Sequence, residues 1–321
     1  HYFEDLKALV LCALFFNDEP VLYTALKAFK AECKEEILPD GMHFELSPMY
    51  HKLIFEGIVR VAVALKGSGL DDREVDGYLQ PMLDAAWSLE EGLDRIPLFN
   101  DAGNNVAKSL QALVSTCKRH FDITPEYKSR FVDSGFYIFK QNDWKLIVDA
   151  GQPGPAYIPG HAHCDAMSFE LFKAGKPVIV NCGTYAYQCK ERSFFRSTAA
   201  HNTVMVNDTE QSQCWGAFRM AKRSKVNVVS VSENSIVIEL IDQCGQAVKR
   251  TIQLEKTMKV TDESSGNKLT AFVHLIREIN MTFEGDAKTT GQQYAPEYGE
   301  LVSLEAIKYE GNGNISVGIC I

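Results

Sequence analysis

No apolar run reaches the roughly eighteen residues that a membrane-crossing helix needs. The longest, "ALVLCALFF" at 8–16, is short and follows Glu4, Asp5 and Lys7, so it reads neither as a membrane span nor as a signal peptide. Positive charge is also scarce. Lys and Arg number 33 against 42 Asp and Glu, a net charge of −9. That balance excludes a broad nucleic-acid surface, which requires a concentrated positive face. The nine cysteines form no CxxC pair and no regular spacing, which argues against a small disulfide scaffold. Most are expected to be free and buried. This leans towards a reducing compartment, although a large periplasmic enzyme also carries unpaired thiols. There is no repeat of fixed length and no low-complexity tract.

What is present is an ordinary globular composition: 321 residues, 45% hydrophobic and 23% charged. Such a length predicts two domains. The helical pattern is already under way at His1, so residues upstream are expected. Phe3, Leu6, Leu9, Val10 and Ala13 fall along one helical face, and similar spacing predicts helices near 20–36, 50–66, 73–93 and 103–120. After about 125 the period shortens. "FVDSGFYIFK", "WKLIVDA", "KPVIVNCG", "KVNVVSVSE" and "SIVIELID" are short β-branched and aromatic runs parted by Gly, Asn, Asp and Ser. The expected architecture is multidomain α and β: a helical part over 1–124 and an antiparallel β-sandwich over 125–321.

The most distinctive local feature is "PGHAHCDAMSFEL" at 159–171, with His161 and His163 two positions apart. In an extended segment the two imidazoles project to one face and can meet a common ligand; in a polar loop the spacing is incidental. His201, in "AAHNTV", supplies a third imidazole at the start of a predicted strand. Basic residues cluster at Lys190, Arg192, Arg196, Arg219, Lys222, Arg223 and Lys225, the one basic island in an acidic chain. A guanidinium offers a fork to a carboxylate or sulfate, so Arg196 and Arg219 are candidates to hold an anion. Tyr185 and Tyr187 alternate in a predicted strand, where either could stack on a sugar or pack inside.

Taken together, "GPAYIPGHAHCDAMSFEL", "VNCGTYAY", "RSFFRSTAAHNTVMVND" and "WGAFRMAKR" resemble, in that chain order, the heparinase II/III-like polysaccharide lyases. "DGMHFELSPMYHKLIFEG" at 40–57 resembles the segment that supplies those lyases with a tyrosine. The resemblance is strongest over 145–225 and fades after 230. It implies an α/α toroid, here partial, followed by a β-sandwich. It also implies β-elimination on a uronic-acid polysaccharide, a glycosaminoglycan or a bacterial capsular polymer or exopolysaccharide, in a cleft between the two parts. A periplasmic or secreted location follows from the family.

By that resemblance Tyr50 is the proton carrier, with His43 and His51 beside it. His161 helps to neutralise the substrate carboxylate or to move a proton. His163 and His201 correspond to the imidazole ligands of a zinc found in some relatives, whose third ligand is an aspartate where this chain has Asn181. An amide is a poorer zinc ligand than a carboxylate, so zinc is left open. Asp165 is expected to brace an imidazole, and Cys164 and Cys182 to be buried as small apolar groups. The family's carboxylate-neutralising group from an early helix falls at His1 or upstream. Two other readings stand beside the lyase: a protein that binds an acidic glycan without cleaving it, and a metal-dependent hydrolase or oxygenase built on the three histidines. The latter lacks a carboxylate at suitable spacing. Oligomeric state is left open.

Overall fold

A computed structural model describes all of residues 1–321. Six helices come first: α1 (Tyr2–Phe16), α2 (Glu19–Glu36), α3 (Pro48–Gly67), α4 (Arg73–Asp76), α5 (Leu79–Glu90) and α6 (Leu110–Phe121). Their starts follow from capping chemistry. The Asp18, Ser47, Asp72 and Ser109 side chains each accept a backbone N–H from the first turn of the helix they precede. In α1, Phe3, Leu6, Val10 and Ala13 are buried, while Leu9 is exposed on the flank of that stripe. The helix expected over 73–93 is broken at Gly77, and the one expected over 103–120 begins only at Leu110, where Ser109 caps it. Phe29, Cys33, Phe55, Ile58, Leu79 and Leu83 are among the side chains that pack the helices together.

The strands follow: β1 (Arg130–Phe131), β2 (Phe136–Gln141), β3 (Trp144–Asp149), β4 (Phe169–Lys173) and β5 (Lys176–Ile179), then a short helix α7 (Arg192–Phe195). After it come β6 (Val204–Val206), β7 (Gln213–Trp215), β8 (Arg219–Ala221), β9 (Lys225–Val231), β10 (Ser235–Ile241), β11 (Ala247–Leu254), β12 (Thr257–Leu275), β13 (Met281–Glu284), β14 (Asp286–Tyr294) and β15 (Val302–Cys320). All pairing between these strands is antiparallel. Instead of two separate sheets, thirteen strands form one hydrogen-bonded sheet, with β7 and β8 a hairpin apart. Its spine is the pair of 19-residue strands β12 and β15.

The sheet curls, because side chains from its two ends share one core. Tyr137 and Leu146 of β2 and β3 pack in the same cluster as Ile238 and Val248 of β10 and β11. In β11 every second residue, Val248, Arg250, Ile252 and Leu254, is buried. Arg250 is the exception in that apolar row, and Asp262 on β12 holds it bidentately at 2.7 Å. Its third donor group reaches the carbonyls of Met167 and Asn202, which ties the sheet to the segments carrying the histidines.

Candidate active site

The site forms where the loop before α3, the 99–102 loop and the histidine loop meet. Asn100 adopts the left-handed conformation with φ 55°. Its amide donates to Leu46 O and accepts from His163 N, and its backbone N–H donates to the Asp165 carboxylate. Ser47, the cap of α3, also donates its hydroxyl to Asp101 O at 2.6 Å. The bonds of Asn100 to His163 and Asp165 join the helical part to the β part, and the Ser47 cap fixes Tyr50 in the first turn of α3.

Asp101 is the centre of the cluster. Fully buried, it accepts from His161 Nδ1 at 2.9 Å through one carboxylate oxygen and from His163 Nε2 at 2.8 Å through the other. Arg192 grips both oxygens, and the Thr184 hydroxyl adds a further bond at 3.2 Å. Burial alone raises a carboxyl pKa, but here it is outweighed by the His163 charge, the imidazole bonds and Arg192, which hold the group far below the usual carboxylate range. The shared ligand of the two histidines is therefore a carboxylate of the protein itself. Asp165, expected to brace an imidazole, binds the Asn100 backbone instead.

Tyr50 lies over His161 with ring centroids 4.0 Å apart. Its hydroxyl is 2.7 Å from that of Tyr187, which is 2.6 Å from that of Tyr298. Burial pushes the Tyr50 phenol up to about 12, with Asp101 and Glu45 adding to the rise. Tyr50 is thus an acid form at neutral pH, not the lowered phenol that a base would need. Tyr298 arrives because Gly183, at φ 76°, bridges Ala295; a Cβ there would stand 2.1 Å from Ala295 O. Phe218, from the turn between β7 and β8, packs edge-on against His161, and Arg192 lies over both the Tyr187 and Phe218 rings.

Other expected residues take different places. Arg196 is buried, and its donors all meet backbone carbonyls, those of Ala162, Gly216 and Arg219. This corrects its reading as an anion clamp: Arg192 and Arg196, four apart around α7, face the same interior. Arg219 is exposed and makes no ion pair, so it remains available to a ligand. Tyr185 and Tyr187 are not in a strand, and they diverge. Tyr187 joins the phenol chain, while Tyr185 packs against the apolar cluster that includes Leu98 and Phe195.

His43 is buried with both ring nitrogens lacking a hydrogen bond, Nε2 lying 3.4 Å from Glu36 and Nδ1 3.9 Å from Glu45, whose other oxygen is 4.0 Å from His161. It reaches the site through Glu45. His51 is structural, accepting from His43 N and bonded to Met82 O. His1 is exposed at the start of α1.

Of the three residues matched to a zinc site, two lie together and the third is engaged elsewhere. His163 and His201 meet nitrogen to nitrogen at 3.3 Å, but Asn181 accepts from Asn202 N and donates to Ser168, so its amide is already satisfied. No group of three His, Cys, Asp or Glu is arranged to hold a metal. Exhaustive dialysis against a chelator is accordingly expected to leave the melting temperature unchanged. One equivalent of zinc surviving that dialysis, measured by elemental analysis, contradicts this.

Burial also sets the response to acid. His43, His51, His163 and His274 are each pulled down to about 4 by burial, and His201 well below its usual value. In the unfolded chain they titrate near 6.5, so below about that pH the unfolded state takes up protons first. Stability is complete above that point and is lost as pH falls towards 4, by up to about 1.4 kcal/mol per unit for each histidine. Asp149, Asp165 and Glu170, with Glu32, Glu36 and Asp76, are raised by burial and act in the opposite sense, offsetting part of that loss. The midpoint of thermal unfolding is expected to drop between pH 7 and pH 5; an unchanged or higher midpoint at pH 5 refutes the assignment.

Comparison with known proteins places the chain in a family and its fold among solved ones. The family described as "Heparinase II/III-like, C-terminal" matches residues 123–312, and "Heparinase II/III N-terminus" matches residues 18–128. A heparin-sulfate lyase of Pedobacter heparinus is 25% identical over 222 residues, covering 60% of this chain and 33% of that protein. One of Bacteroides stercoris is 31% identical over 121 residues, covering 34% of this chain and 17% of that protein. Among solved structures, a heparinase III superposes with a TM-score of 0.82 at 16% identity, over 99% of this chain and 59% of that one. The heparan sulfate lyase of Pedobacter heparinus gives 0.76 at 17%, with the same coverage. The chain spans about a third or less of the curated relatives it matches.

Proposed function

The chain belongs to the heparinase II/III-like family, and from that premise we propose that it is a polysaccharide lyase cleaving a uronic-acid-containing acidic polysaccharide by β-elimination. The observation that carries the proposal is the contact of Tyr50 with His161, 4.0 Å between rings, with Asp101 behind the imidazole. One ring comes from a helix of the first part, the other from a loop of the second.

Elimination removes the proton on C5, beside the carboxylate, and expels the oxygen on C4. Asp101 only accepts hydrogen bonds, so in neutral His161 the hydrogen sits on Nδ1 and Nε2 carries the lone pair. That nitrogen takes the C5 proton, and the ionised Asp101 stabilises the imidazolium that forms. Tyr50, protonated at neutral pH, gives its proton to O4 as the bond breaks. Tyr187 and Tyr298 orient the Tyr50 hydroxyl. Exposed Arg219, next to Phe218, meets the sugar carboxylate or a sulfate. No step requires a metal.

Because two relatives are named as heparin-sulfate lyases, heparan sulfate is the first substrate to try, followed by other uronate polymers. Fragments analysed by mass spectrometry are expected to begin with an unsaturated uronate, one water lighter than hydrolytic fragments. Fragments that have gained a water make the protein a hydrolase; intact polymer that is nevertheless bound makes it a glycan-binding protein.

A further inference from the structure

Two cysteines of the nine lie together at the edge of the site. Cys164 directly follows His163 and is buried, and its Sγ is 3.7 Å from that of Cys214 on β7. Cys214 is half-buried and so within reach of a small reagent. No disulfide joins them, and all nine thiols are free. The structure assigns to this pair a site of reversible oxidation: a Cys164–Cys214 disulfide formed by exchange with a small-molecule disulfide.

Geometry and chemistry give the two sulfurs distinct parts. Cys164 Sγ also lies 3.3 Å from Ser212 O, so the sulfur sits between that carbonyl and Cys214. Donation from Cys164, together with the nearby Arg196 and Arg192 guanidiniums, favours the thiolate of Cys214 over that of its buried partner. Cys214 therefore attacks the reagent disulfide, forming a mixed disulfide and releasing one small thiol. Cys164 then attacks Cys214 Sγ and releases the second small thiol, which takes up the Cys164 proton. The balance is a protein dithiol plus a small disulfide giving a protein disulfide plus two small thiols. Closing 3.7 Å to a bond near 2.05 Å needs side-chain rotation together with a small shift of the β7–β8 hairpin. That hairpin carries Phe218 against His161, so the bond ties the histidine loop to the hairpin that packs on it.

The test is equilibration of the full chain with oxidised glutathione, then alkylation and peptide mapping by mass spectrometry. The result expected is a cross-linked pair of peptides containing Cys164 and Cys214, with neither of these two thiols alkylatable, and full reversal by reductant; the exposed Cys12, Cys244 and Cys320 are expected to carry glutathione instead of a cross-link. In C164S the reaction is expected to stop at glutathione on Cys214, and in C214S Cys164 is expected to stay unmodified. Free thiols at both positions, a stable glutathione adduct on wild-type Cys214, or a cross-link elsewhere each overturns the assignment. None of these readouts depends on lyase activity, so failure here is separable from failure of the proposed function.

Discussion

Replacing Tyr50 by phenylalanine is expected to lower kcat on the cleaved polysaccharide by about 10²–10⁴-fold, the range that one positioned proton donor contributes. Affinity is expected to change by less than about tenfold, because the ring that packs on His161 remains and only the hydroxyl is lost. The fold should survive. The hydroxyl makes one hydrogen bond, to Tyr187, and losing such a bond costs about 1 kcal/mol. Tyr187 keeps Tyr298 as a partner, so the phenol chain is shortened, not orphaned. Steady-state kinetics with a parallel glycan-binding measurement separates the two effects. A variant that retains full kcat removes Tyr50 from the chemistry, and one that loses binding and turnover together makes it a binding group.

Asp101→Asn is expected to be more damaging, because it acts on fold and chemistry together. An asparagine keeps the shape but loses the charge that faces Arg192, leaving a buried guanidinium without its counter-ion. Breaking a buried pair this way costs about 3–5 kcal/mol. The carboxamide also places an N–H against donors that need acceptors, so His161 loses the group that fixes hydrogen on Nδ1. Loss of an orienting aspartate of this kind costs roughly four orders of magnitude in turnover in a serine protease triad, which sets the scale. Thermal unfolding should show a lower midpoint, and kcat should fall further than in Tyr50→Phe. Wild-type stability in Asp101→Asn is the outcome that contradicts the role given to this carboxylate.

Much of the architecture was legible because it rests on periodicity. The change from helical spacing to short alternating runs near 125 coincides with the gap between α6, ending at Phe121, and β1, beginning at Arg130. The curl of one continuous sheet was not legible, since strand pairing across a hundred residues leaves no local mark. Of the side chains that meet in this cluster, His161 and Tyr50 were singled out by motif, while Asp101 was not. It sits in "LFNDAG", a turn-forming stretch whose polar residues read as a surface break, although the apolar flanks Leu98, Phe99 and Ala102 hinted at burial. Tyr298 stands 111 residues from Tyr187 and meets it through long-range backbone contacts, the Gly183–Ala295 bridge and the Gly299 N–H on Tyr185 O. Arg196 was misread because a basic cluster ordinarily faces solvent, whereas one turn of helix turns Arg192 and Arg196 inward together. Asn181 was noticed as a departure from the family aspartate, and the bonds to Ser168 and Asn202 explain how the protein accommodates it.

The most direct measurement is ultraviolet absorbance during incubation of the protein with heparan sulfate and then with other uronate polysaccharides. Elimination leaves a double bond conjugated to the uronate carboxylate, which absorbs where the substrate does not. A rise with wild-type protein that disappears in Tyr50→Phe, on a polymer that both proteins bind, is the predicted result. A flat trace with wild-type protein on a polymer that it binds and leaves intact contradicts the lyase and makes the cleft a recognition site.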